Sequence, residues 1–200
     1  MDEPILPQRP TDERVEVASI EWLFGPARPG DRLIARVTAG RVRLTDLAGR
    51  VATLPEVEAR LRRAIVASSA IVDGVWGTQP TVGEDGPTIE RTVFAALDLL
   101  ELDGDSLLDV PFQERHRLLE SVVRDGLGIR VGPLVKQPLG GWLEGWRRAG
   151  FSHYFAWHQN ARYRPGARSD DWLRIPIGAA AAPGILRRVI GGGHRTRRIR

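Results

Sequence analysis

Trp22-Leu23-Phe24-Gly25-Pro26-Ala27-Arg28-Pro29-Gly30-Asp31-Arg32 is the stretch on which the reading of the chain turns. A short apolar run ends in a turn of glycines and prolines, and a β-prone segment follows, Leu33-Ile34-Ala35-Arg36-Val37. Glycine has no side chain to hold a neighbour off, so this turn lets the backbone pass close to something bound above the sheet.

Working outward, strand-like runs fall at 20–24, 33–37 and 41–45, the last two joined by a hairpin turn at Thr38-Ala39-Gly40. Leu54 to Val66 sets Val57, Leu61, Ala64 and Ile65 near helical period, with Pro55 suited to a first turn. Ala70-Ile71-Val72 reads as a buried strand ending at Asp73-Gly74, and residues 77–91 as a loop of turn-forming residues. Thr92 to Leu100 is a continuous apolar strand closed by Asp103-Gly104. Pro111 opens an amphipathic helix that Gly126 stops. Ile129 to Val135 predicts a strand, and Leu139 to Ala149 a helix with Trp142, Leu143 and Trp146 on one face. Strands at Phe151–Trp157 and 172–175 flank a basic loop. Local strand pairing with helices inserted between predicts an α+β domain of mainly antiparallel sheets flanked by helices.

Composition bounds the chemistry. Two hundred residues with 42% hydrophobic content suit one globular domain with a tail. The expected division is an irregular lead-in over 1–19, broken by Pro4, Pro7 and Pro10, a domain over 20–177, and an Ala/Gly/Arg-rich, poorly ordered tail over 178–200. No window approaches the ~18 apolar residues of a membrane span. The acidic start Met1-Asp2-Glu3-Pro4 lacks an apolar signal segment, so a cytoplasmic location is expected. Zero cysteines exclude disulfides, thiol catalysis and cysteine-based zinc sites. Of the 29 Lys+Arg, Lys136 is the only lysine. Arginine stays protonated and does not serve as an amine nucleophile, so Lys136 is the one side chain left for lysine chemistry. It reads as a solvated surface residue. A formal charge of +4 permits a nucleic-acid partner without demanding one. His153 and His158 stand at odd spacing on one strand and no carboxylate cluster joins them, so no metal site is expected.

The opening stretch resembles the nucleophile loop of ATP-dependent DNA ligases, where an aromatic-rich strand runs into Glu-Pro-Lys-x-Asp-Gly-x-Arg. Trp22, Phe24, Pro26, Gly30 and Arg32 match that pattern, while Ala27 stands at the position of the adenylated lysine and Pro29 at the aspartate. Two further segments carry the likeness. Phe94 to Leu107, followed by Pro111-Phe112-Gln113-Glu114-Arg115, is similar to Phe-Asp-Leu-Leu-x-Leu-Asp-Gly and a Pro-x-x-x-Arg helix. Arg162 to Arg174 is similar to Tyr-Arg-Pro-Gly-x-Arg-Ser-x-x-Trp-Leu-Lys, the form of bacterial ligases. The resemblance runs from about Ile20 to Ile175 and implies the adenylation-domain fold. About 25 residues follow Trp172-Leu173-Arg174, too few for the OB-fold domain of such ligases, so that domain is expected to be missing.

The departures fall where the resemblance places chemistry. Val75 occupies the glutamate position of Asp-Gly-Glu, and Leu97 the position of the aromatic that stacks on adenine. In the Glu-Gly-x-x-x-Lys segment, Ser152, His153 and Trp157 replace glutamate, glycine and lysine. Arg174 and Pro176 replace the last two lysines. Phosphoryl transfer needs cations and metal to neutralise charge developing on the phosphates. On the resemblance, Val75 and Ser152 lose two carboxylates that would help hold the metal, Trp157 and Pro176 lose two cations, and Arg174 keeps charge with different geometry. The resemblance therefore implies a degenerate, non-catalytic ligase domain with a binding or scaffold role in DNA repair. DNA or a DNA-repair protein is the expected partner, and weak ATP/Mg²⁺ affinity at most. Arg32, Asp73, Leu97, Asp98, Trp157 and Arg174 are the expected remnants of the nucleotide site. Arg162, Arg164 and Arg168, around Tyr163 in a Pro-Gly loop, are candidate nucleic-acid contacts. Trp157 is expected to fill part of the nucleotide cleft. Two alternatives stay open, an active nucleotidyltransferase with an unrecognised nucleophile and an interaction domain that keeps no ligand.

Overall fold

The computed structural model describes residues 5–12, 17, 19–81, 89–126 and 128–178. The tail arginines Arg187, Arg188, Arg195, Arg197, Arg198 and Arg200 lie outside the described residues. In chain order, β1 (Arg9–Asp12) and β2 (Trp22–Pro26) lead into β3 (Asp31–Thr38), β4 (Arg41–Thr45) and β5 (Val51–Ala52). After α1 (Pro55–Ala64) come β6 (Ser69–Thr81), β7 (Ile89–Leu102) and β8 (Asp105–Ser106). Then follow α2 (Phe112–Val122), β9 (Ile129–Val131), α3 (Gly140–Arg148), β10 (His153–His158) and β11 (Arg168–Pro176).

Two sheets result. One has four strands in the order β1-β11-β10-β2; the other has seven, in the order β5-β4-β3-β6-β7-β8 with β9 alongside β7. Pairing is antiparallel except for β1 with β11 and β9 with β7, as the α+β reading expects. Among the described residues no helix is long and apolar enough to cross a membrane.

Amphipathic helices cover one face of the larger sheet. Val57 and Leu61 of α1 and Leu119 of α2 are buried in a cluster with Leu33, Ala35, Val72 and Leu99. Glu56 and Glu58 in the first turn of α1, with Arg62 and Arg63 in its last, complement the helix dipole. The other face, together with the smaller sheet, encloses a second apolar cluster containing Leu23, Val75, Leu97, Phe155, Trp157 and Trp172. That second space is where the ligase resemblance puts the nucleotide.

Several sequence expectations need correction. The lead-in is not wholly irregular: Arg9–Asp12 pairs with β11 at the edge of the smaller sheet, where proline costs no ladder bond on the open side. β6 does not end at Gly74, and 77–91 is not all loop. The hairpin pairs on as far as Thr81 and Ile89, because cross-strand partners outweigh the turn propensity of Gly77 and Pro80. The strand expected over Ile129–Val135 stops at Val131, and Val135 instead bridges to Phe24. Trp142, expected on one helix face with Leu143 and Trp146, does lie 6.4 Å from the Trp146 ring but is 49% exposed.

The close approach at the Gly-Pro turn is also made to a different target. Gly30, at φ +135°, lies so near β6 that a Cβ would stand 2.3 Å from the Trp76 carbonyl oxygen. A Cβ on Gly77 would meet Gly30 Cα at 2.8 Å. Glycine is required at these two positions because backbone meets backbone, not because backbone meets ligand.

Candidate functional site

β6 and β7 bring two aspartates side by side. Asp73 and Asp98 are Cα partners, and the register shifts just beyond them so that Gly74 pairs with Ala96. The bulged residue is Leu97. In a regular strand Leu97 and Asp98 would point to opposite faces; after the bulge both line the same cavity. Two neighbouring buried carboxylates repel each other unless each has its own cation.

Each has one. Arg32, on β3, donates through Nε and Nη2 to Asp73, the second bond at 2.6 Å. Burial works against the Arg32 charge, but the Asp73 carboxylate more than offsets it, so the guanidinium holds its proton more tightly than usual. Tyr163 adds a third bond, its hydroxyl donating to Asp73 at 2.6 Å and accepting the Gln8 N–H at 2.8 Å. Burial pushes the Tyr163 phenol well above its ordinary range. Arg115, from α2, donates to both Asp98 oxygens at 2.8 and 2.7 Å and to the Val110 and Ala161 carbonyls. Burial pulls the Asp98 carboxyl upward while the Arg115 charge opposes it.

Rings take up the rest of the space. Trp157 lies flat between Phe112 and Trp172, with centroids 5.2 and 5.9 Å away and planes within 15° and 16°. Phe155 meets Trp157 and Trp172 edge-on, each at 5.2 Å, and the Arg32 guanidinium sits 4.6 Å above the Trp172 ring. A cavity of about 10 Å³ remains beside Arg32, Asp98 and Trp157, and another of about 10 Å³ lies on the other side of Trp157 against His116 and Arg28. Each has room for about one water molecule.

The positions the resemblance marks as chemical fall around this plug. Ala27 follows β2, gives its N–H to the His153 carbonyl at 3.0 Å, and packs half-buried against the Trp157 cluster. Val75 is buried in that cluster. Ser152 is exposed and bonds His153 Nδ1 at 2.9 Å. Arg174 stands apart from both cavities, exposed and 3.5 Å from Asp12. The loop of Lys136 comes nearer than its sequence separation suggests, since Phe24 and Val135 exchange backbone bonds of 2.9 Å, yet Lys136 itself is exposed. Arg28 turns inward, donating to the buried Gln79 at 2.9 Å, and burial lowers its pKa. Among the described residues no three His, Asp or Glu converge to hold a metal ion.

The structure thus gathers Arg32, Asp73, Leu97, Asp98 and Trp157 in one place and leaves Arg174 out. Arg162 borders the cavity and reaches Asp109 at 3.3 Å, whereas Arg164 and Arg168 are exposed away from it. In the sequence, Phe112, Arg115 and Trp172 stand out only as parts of family-like segments, and Tyr163 only as the centre of the basic loop. Their signal was present in the Pro111-to-Arg115 and Arg162-to-Arg174 segments, which carried family likeness without stating what each side chain touches.

No protein-family model matches the chain. Over 163 residues, 77% of this chain, it is 28% identical to the multifunctional non-homologous end joining DNA repair protein LigD of Mycobacterium tuberculosis, of which it spans 21%. It is 37% identical over 145 residues to a DNA ligase of Thermococcus fumicolans, covering 62% of this chain and 26% of that protein. Among solved structures, the ligase domain of M. tuberculosis LigD superposes with a TM-score of 0.67 at 26% identity, over 85% of this chain and 58% of that one. A mycobacterial DNA ligase D complexed with ATP and MES gives 0.68 at 25% identity, over 86% and 60%.

Proposed function

We propose that this chain, a homologue of the ligase domains of LigD and other ATP-dependent DNA ligases with their adenylation-domain fold, is a non-catalytic member that serves DNA repair by binding or scaffolding. It acts in the cytoplasm on DNA or a DNA-repair protein and does not join ends. The observation that carries the reading is the ring stack Phe112–Trp157–Trp172, which leaves about 10 Å³ where a nucleotide would sit. Small-molecule sites run to about 300–1,000 Å³. ATP and its metal do not fit the residues present. Ala27 offers a methyl group where the lysine would attack, and Val75 offers no oxygen. Asp73 and Asp98 are held by Arg32 and Arg115. Arg162, at the rim of the cleft, and Arg164 and Arg168, exposed away from it, remain the proposed nucleic-acid contacts.

Incubation with α-labelled ATP and Mg²⁺, read on a denaturing gel, tests the reading. No labelled band is expected. A band present in the wild type and lost in Lys136→Ala would establish an active enzyme with a relocated nucleophile. Ala27→Lys alone is expected to stay unlabelled, because groups that act as a unit are not restored singly. Adenylation of that variant would show that the cleft still admits ATP.

A further inference from the structure

A different concavity lies along the edge of β7, between α1 and the start of β9. It is an open groove of about 670 Å³, and Arg60, Arg63, Arg91 and Arg130 line it. The fold makes this groove for an identifiable reason. Pairing of β9 with β7 begins at Phe94, so residues 91–93 of β7 lie beyond it. Gly128 closes that end by accepting the Phe94 N–H at 2.8 Å. Arg60 reaches across from α1 and donates to the Thr92 carbonyl at 3.2 Å.

Arg60 forms the floor. Its guanidinium pairs with Glu56, stands 5.5 Å over the Trp76 ring, and lies against Gly128, where a Cβ would meet Nη1 at 1.9 Å. Glu56 is the acid among the lining residues, and Arg60 already engages it. Arg63 and Arg91 are exposed and make no ion pair with another described residue. Arg130 comes only to 3.8 Å from Asp125, whose other oxygen accepts the Val131 N–H at 2.7 Å. Arg63 also complements the end of the α1 dipole, which explains it without a ligand. Arg91 and Arg130 stand on strands and have no such explanation.

We infer that the groove walled by Arg63, Arg91 and Arg130 binds the sugar-phosphate backbone of a nucleic acid. The inference rests on the DNA-facing role proposed above and gives it a second location. Three guanidinium forks around an open trough suit phosphate oxygens, each fork able to engage two. The lining lacks the exposed aromatic or large aliphatic anchors on which protein partners depend, since Ile20, Leu47, Val51, Val66 and Trp142 all lie elsewhere. Phosphate contact alone carries no base information, so binding here is independent of sequence.

The test is fluorescence anisotropy of the full chain with a labelled 30-base-pair duplex and its single strand, titrated from 50 to 300 mM NaCl. The wild type is compared with Arg63→Gln/Arg91→Gln/Arg130→Gln and with Arg41→Gln/Arg43→Gln/Arg148→Gln, which removes equal charge from exposed sites elsewhere. On duplex, neutralising about 0.9 counterion per phosphate, the groove variant should flatten the log–log salt slope by about 2 to 3. A change nearer 0.7 per contact on the single strand, with tighter binding there, would make single strands the ligand. Circular dichroism should be the same for all three proteins. Equal flattening in the control variant would overturn the groove and leave only net charge. An unchanged slope in the groove variant would overturn it while the DNA role stands. Competition by polyglutamate as effective per charge as DNA would overturn it in favour of an acidic protein. No binding by the wild type would remove both the groove and the DNA role, without touching the adenylation result.

Discussion

The cleft between the sheets and the groove at the β7 edge are both lined by arginine, and they differ in what surrounds the charge. In the cleft, Arg32 and Arg115 each own a buried aspartate, and stacked rings pack against both guanidinium groups. In the groove, Arg63 and Arg91 have no described counter-ion, and the space is open. A paired guanidinium inside an apolar cluster fixes the fold, because removing either partner strands a charge out of water. An unpaired one in water contributes little to stability and stays available to an anion. The cleft arginines are part of the core, and Arg63 and Arg91, with no described counter-ion, lie outside it.

Mutations can break this contrast, and the largest effects belong to the cleft. Arg115→Met leaves the Asp98 carboxylate buried without its partner and should cost about 3–5 kcal/mol in urea denaturation. Adding Asp98→Leu should recover most of that loss; no recovery would mean that Arg115 acts through packing instead. Trp157→Ala empties the centre of the stack and should cost about 3–5 kcal/mol. A cost under about 1 kcal/mol would show a loosely filled cleft. Tyr163→Phe removes the hydroxyl between Asp73 and the Gln8 N–H, and should cost about 1–3 kcal/mol. At the small end, Arg63→Gln, Arg91→Gln and Arg130→Gln should each change stability by about 0.5 kcal/mol or less. A large loss from any of them would make the groove structural and collapse the contrast.

The fold was legible because its signals were local or inherited as motifs. Hydrophobic period marked α1 and α2, the Thr38-Ala39-Gly40 turn fixed the β3–β4 register, and the segments around Phe94 and Trp172 carried the family likeness. Ala27, Val75 and Trp157 stood out as departures from the family pattern. The contacts made inside the cleft were not legible. The Asp98–Arg115 pair spans 17 positions and the Tyr163–Asp73 bond spans 90. Neither leaves a local pattern. Placing Leu97 and Asp98 on one side depends on a bulge between β6 and β7 that no propensity announces. Arg174 was matched to the site by its segment, yet β1 pairs at that edge and Asp12 draws its side chain. The groove was missed for the opposite reason. Its arginines are scattered over α1, β7 and β9, in a chain where nearly every basic residue is arginine, so none of them stood out.

Titration calorimetry of the full chain with ATP and Mg²⁺ tests the filled cleft most directly, with Trp157→Ala run alongside. With Ala27, Val75 and Trp157 in place, the wild type should show no binding tighter than the high-micromolar to millimolar range, an estimate of about −4 to −5 kcal/mol. Trp157→Ala, with the ring removed, should bind ATP more tightly than the wild type. A wild-type Kd near or below about 1 µM, roughly −8 kcal/mol, would contradict the account. So would weaker ATP binding by Trp157→Ala, because the ring would then be a platform for the nucleotide and not its replacement.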